Sequence, residues 1–334
     1  MHRLSRGSAL TLTLASSLAL TAQAEIRALP DAAMGEITGQ AGVTIELETK
    51  VDVGRFAWTD QGTLSVNDLS LSGLGGGPLD NLKVSLDVAG ENEVLEHGFS
   101  EIARRAGNGR LDPGSNPDIA DALTRYAVAG DYGKAFNSGD LVIHIGPTDS
   151  GDPGQLNDYL RAVDFQLDIG SVVTEGADGA TTLFSDIHLE GYLGPTDIVV
   201  RNHGSDTRLL ANGNEVSDSE LQVDTHFEIT NGRLNWDVAD VILLFNFAAV
   251  SIDGLQIHNR RGADTLGHFG MAHATAKLSA GTSATSGKDG LSVHDVEFRA
   301  DIDMPVFRMG GTAIGAVSFT DFAITNTSMM IYGH

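Results

Sequence analysis

GVTIELETKVDVGRF, residues 42–56, places Val43, Ile45, Leu47, Thr49, Val51 and Val53 on one side of an extended chain and Glu46, Glu48, Lys50 and Asp52 on the other. Successive side chains of a strand point to opposite faces, so this alternation predicts a long strand with one face against apolar neighbours and one in water. Alternation or β-branched enrichment recurs in LKVSLDV, LVIHI, VDFQLDI, IHLEGYL, LQVDTHFEI, AVSIDGLQI, LSVHDVEFRADI and AVSFTDFAI. Forty glycines against eight prolines, with Asn, Asp, Ser and Thr between short apolar runs, supply the turns of a β protein. Strands dominate both ends of the chain.

One device repeats among these segments. VNDLSLS from Val66, FSDIHLE from Phe184, VHDVEFR from Val293 and FTDFAIT from Phe319 set Asp68, Asp186, Asp295 and Asp321 in matching places, and LDNLKV and IDGLQI put Asn81 and Gly254 there. The apolar residues are spaced three and then two, so one residue has been inserted into the alternation. An insertion of one reverses the side-chain phase unless the strand bulges or bends at that point. Asp, Asn and Gly are the residues that tolerate such a bend. The four Asp places are separated by 118, 109 and 26 residues, which is no period, so a solenoid is disfavoured. A calcium ladder would bring carboxylates at close spacing, and each of these stands nearly alone. The expectation is a mainly β fold of long, bent antiparallel strands in a curved or wrapping sheet.

The middle reads differently. Asn116-Pro117 followed by Ile119, Leu123 and Tyr126, and Asp152-Pro153 followed by Leu156, Leu160 and Val163, have helical starts and spacing, and Val94 to Arg105 is a third such segment. This predicts a small helical insertion over 91–162, between an N-terminal strand region, 25–90, and a C-terminal β region, 163–334, the two belonging to one β domain. VILLFNFAAV, residues 241–250, is the most apolar stretch and reads as a strand buried on both faces.

Residues 1–24 read as a secretory signal peptide: a basic start at His2, Arg3 and Arg6, an apolar run from Ala9 to Leu20, and the small-x-small site Ala22-Gln23-Ala24. That run is shorter than the ~20 apolar residues of a spanning helix, and the rest of the sequence offers no candidate. The absence of cysteine excludes disulfides, a lipoprotein anchor and thiolate metal ligands. The formal charge of −24, or −26 without Arg3 and Arg6, repels nucleic acid.

No nucleophile elbow, His-Glu-x-x-His or EF-hand loop occurs, and TSGKDG lacks the hydroxyl residue that follows the lysine of a phosphate loop. The sequence thus indicates no catalytic residue, no metal ligand set and no cofactor. Among the histidines, His268 and His273 are five apart, a spacing that suits neither a strand nor a helix, and His144, His188, His226 and His294 read as ordinary strand residues. Only two Trp and five Tyr argue against a sugar-stacking site and against the aromatic girdles of a membrane barrel.

LPDAAMGEITGQAGVTIELE, Leu29 to Glu48, resembles the opening of secreted, glycine-rich β proteins of Gram-negative bacteria grouped with FilA, a pilus-system protein. There a short acidic segment, here Asp31 to Ile37, precedes a Thr-Gly-Gln-Ala-Gly turn and an alternating strand; Ile314 to His334 looks like the family's closing strand pair. The resemblance implies export to the periplasm, outer membrane or cell surface, and association with other subunits of a surface or envelope assembly, this chain itself among the possible partners. It implies no catalytic residue. A strand anchored by Val43, Ile45, Leu47, Val51 and Val53 either pairs within its own chain or adds to the sheet edge of another subunit. The alternative function is a periplasmic binding protein for a lipid or other apolar ligand, with 91–162 as its cap and 241–250 lining the groove.

Overall fold

A computed structural model describes residues 42–90, 136–149, 160–237, 249–261 and 270–333. The expected signal peptide, the FilA-like segment before Gly42, the helical stretches at 94–105 and 116–126, and 241–248 of the apolar run lie outside the described residues.

The described residues between 42 and 333 form one antiparallel sheet of fifteen strands. Pairing arranges them in eight side-by-side tracks. The first track is β1 (Val43–Thr49) continued by β2 (Val51–Thr59), and the second is β3 (Thr63–Ser72) continued by β4 (Leu79–Val88). The third combines β5 (Leu141–Pro147) with β6 (Val163–Gly176), and the fourth is β7 (Gly179–Arg201). A small hairpin, β8 (Thr207–Leu209) with β9 (Glu215–Ser217), leads to the fifth track, β10 (Glu220–Trp236). The sixth strings together β11 (Val250–Asp253), β12 (Gln256–His258) and β13 (Ala272–Thr282). The last two are β14 (Asp289–Met309) and β15 (Thr312–Ile331), joined at Gly310-Gly311, whose φ of 56° and 77° fit the mirror-image turn that follows strand twist. Each track lies beside the next one along the chain, an up-and-down meander.

Two expectations need correction. Within 91–162, residues 141–147 are a strand of the sheet, paired with both β4 and β7, so that segment is not wholly an insertion. The reason lies in LVIHI, whose β-branched alternation outweighs the helical spacing on either side of it. The strand over 42–56 is also interrupted at Lys50, where β4 supplies two residues, Asp80 and Asn81, opposite Glu48.

The bends fall where the motif places them. Asp68, Asn81, Asp186, Asp295 and Asp321 have φ of 55°, 56°, 50°, 50° and 55°, and Gly254 has 74°. At Asp186, Asp295 and Asp321 two residues of one strand face one of a neighbour, as a bulge requires. Asp68 bends without an inserted residue. It stands level with Gly54 and Gly170 on the adjacent strands, and a Cβ at Gly170 would lie 3.1 Å from that of Asp68.

Alternation gives the centre of the sheet two unlike faces. Leu86, Ile143, Ile198, Val223 and Ala276 form a rung across five tracks, and one step along, Ser85, His144, Asp197, Asp224 and Thr275 form the rung facing the other way. A pocket of core on the polar side joins Val142 and Val199 to Phe136 and Ala89. On the apolar side Leu79, Leu82 and Val163 pack with Ile145, Phe165 and Leu193.

Candidate functional site

The first and eighth tracks are the two edges of the sheet. β1 and β2 pair with β4 and β3, β15 pairs with β14, and among the described residues neither track has a second neighbour. Val43, Ile45, Leu47, Val51 and Val53 therefore sit on strands paired within the chain along one edge, with the other edge open. Of seventeen exposed large hydrophobic side chains among the described residues, eleven lie on β1, β2 and β15. Phe56 is 62% and Trp58 61% exposed, and on β15 Ile314 is 56% exposed. β15 is nonetheless held firmly on its inner edge, where Phe298, Phe319 and Phe322 pack ring to edge at 5.9–6.1 Å.

The four bend carboxylates are spread over the sheet rather than gathered. Asp186 pairs with Arg233 at 3.0 Å and Asp295 with Lys277 at 3.2 Å, while the Asp321 amide donates to Asp301 at 3.1 Å. They are positions of backbone geometry, all four with positive φ.

The polar side of the sheet carries a different set of groups, which the sequence did not reveal as a set. Arg208 donates to Asp218 at 2.7 Å and to buried Glu220 at 2.5 Å, with His294 at 3.4 Å from Glu220. Burial raises the Glu220 pKa, but hydrogen bonds from Arg208 and Gln222 and the charges of Lys277 and Arg208 outweigh it and leave the carboxyl below its ordinary value. Asp303, beside Arg261 at 3.0 Å and His258 at 3.1 Å, is lowered in the same way against a burial effect that raises it. So is Asp168, where burial again opposes hydrogen bonds from Gln166 and His188. Glu228, buried in full, is bracketed by Arg161 at 2.8 Å and by Arg260.

Near the middle of this face His226 on β10 lies directly opposite His273 on β13, their rings stacked at 4.3 Å. Asp224, two residues before His226 and so on the same face, is 3.0 Å from His273 Nε2 and 3.7 Å from His226 Nδ1. One nitrogen or oxygen from each of the three lies within 4.8 Å of the others. Gly194 and Met271 close over the cluster: a Cβ at Gly194 would meet Met271 Sδ at 2.7 Å and His226 Cβ at 3.1 Å. His226 is fully buried. Sequence spacing around His273 points to His268; the partner that matters comes from a strand far away in sequence, set opposite by the β10–β13 register.

Residues 1–90 match the profile of DUF6160, a family of unknown function. Their described part is the first two tracks. No curated protein and no solved structure matches the chain. Among the described residues no helix is long and apolar enough to cross a membrane.

Proposed function

We propose that this is an exported, non-enzymatic β protein of the Gram-negative envelope, a structural or accessory part of a pilus-like appendage or outer-membrane-associated assembly that joins its neighbours through its outer tracks. The observation that carries this reading is the pair of long edges that, among the described residues, are open and carry most of the exposed apolar side chains. An open edge presents unpaired backbone donors and acceptors, and proteins that work alone blunt such edges with charge, proline or a covering loop. Here Val43, Ile45, Leu47 and Val51 line one edge and Phe319, Ile324 and Met329 the other. The meander has an even number of tracks, so its outer strands run in opposite directions. β15 of one copy set beside β1 and β2 of the next continues the antiparallel ladder without a break. The basic and apolar opening of the chain supports export, and the two FilA-like stretches overlap the same two outer tracks.

Sedimentation of the leader-free protein over a range of concentrations tests the reading. Self-association that Ile45→Lys with Val51→Lys, or Phe319→Lys with Ile324→Lys, reduces to monomer is expected. A monomer at every concentration, with the outer tracks crosslinking to each other within one chain through introduced cysteines, would mean closure into a barrel and defeat the proposal.

A second reading, a binding protein for an apolar ligand, is favoured by the half-buried rung of Leu86, Ile143, Ile198 and Val223. Native mass spectrometry of detergent-free protein decides it, a reproducible lipid mass supporting this reading and none removing it.

A further inference from the structure

We infer that Asp224, His226 and His273 form a binding site for one divalent cation of the zinc class. Three features of the chain lead there. The first is the donor set: two imidazoles and a carboxylate within 4.8 Å of one another, contributed by positions i and i+2 of one strand and by the residue directly opposite on the next. Alternate positions on a strand point the same way, and a directly opposed residue joins them on that face, so the sheet itself converges the three groups.

The second feature is charge. Asp224 stands directly opposite Asp197 in the β7–β10 ladder, and like charges in facing positions of neighbouring strands are destabilising. Asp197 is 4% exposed, so solvent does little to screen the pair. His144 Nδ1, 2.8 Å from Asp197 Oδ1, partners one of the two carboxylates. Asp224 faces His273 Nε2 at 3.0 Å in the same way, and a dication shared by Asp224, His226 and His273 adds positive charge beside the two facing carboxylates.

The third feature is confinement. Gly194, Met271 and the β10–β13 pairing fix His226 and His273 from several sides, so the donors are held before any ion arrives. Imidazole nitrogen with carboxylate oxygen selects zinc and its late first-row neighbours over calcium and magnesium, which take oxygen ligands. A cation here pins β10 to β13, with three protein donors and a fourth position left for water.

The test uses the whole leader-free chain purified without metal. Addition of Zn²⁺ followed by gel filtration and elemental analysis is expected to leave one zinc per chain, with a rise in Tm. Asp224→Asn and His273→Gln each lower the affinity by at least about tenfold, whereas His203→Gln, at a half-buried histidine near Asn137 and outside the site, leaves it unchanged. No retained zinc, or equal affinity in both site variants, overturns the inference. Should either variant fail to fold, zinc K-edge absorption on the unaltered protein still decides: a four-coordinate shell containing two imidazoles supports the site, and an all-oxygen shell rejects it.

Discussion

At the scale of single residues, the Asp of the repeated motif acts through backbone shape. A left-handed residue with a Cβ costs roughly 1–2 kcal/mol, less for Asp and Asn whose short side chains bond locally, and nothing comparable for Gly. Asp186→Gly and Asp186→Asn should therefore fall within about 0.5 kcal/mol of the parent, while Asp186→Val loses about 1–2 kcal/mol, measured by denaturant midpoints. The Arg233 pair cannot account for that contrast, because both side chains are about half exposed and such pairs contribute little. These bends were legible because inserting one residue into a period-two pattern leaves a visible scar. His226 and His273 left none: each sits in an ordinary alternating segment, and their proximity is a product of strand register.

At the scale of elements, the polar rungs hold the middle tracks together by charge. Asp168, Glu220 and Asp303 belong to different strands and all have lowered pKa values. A carboxyl lowered by folding stabilises the fold above its unfolded value, here the ordinary 3.8 to 4.5, and loses that contribution as pH falls through its lower folded value. The contribution of these three carboxyls should thus be constant from neutrality down to about pH 5 and then be lost, followed by thermal melts across an acid series of the parent and Glu220→Gln. Glu220→Gln, which removes the acceptor that faces Arg208 and His294, costs about 1.5–3 kcal/mol at pH 7 and flattens the acid limb. The element types were readable from alternation in 42–56, 163–169 and 291–302. LVIHI was readable as a strand too, yet its place inside a region of helical spacing concealed that the sheet runs through it.

At the scale of the whole molecule, both flanks of the meander are open among the described residues, and the proposed function has them meet neighbours in an envelope assembly. Immunogold labelling of intact and permeabilised cells tests this. Label on intact cells is expected, with deletion of residues 43–53 abolishing it along with assembly; label only after permeabilisation confines the protein to the periplasm and removes the appendage from the proposal. The antiparallel class was legible from turn-rich alternation, whereas the number of tracks was not, since six of the eight hydrogen-bond on both sides and only pairing shows which strands share a track.

The sequential order of the tracks also governs how the molecule is made. Each track's neighbour is the next in the chain, so on the proposed export a chain delivered from its N-terminus can zip its sheet in the order of its delivery. The N-terminal edge is present from the first hairpin, while the C-terminal edge exists only once residue 331 has arrived. If the chain is exported and joins neighbours as proposed, a half-delivered molecule has one side in place and the other still missing, and arrival of the last strand sets when joining can begin.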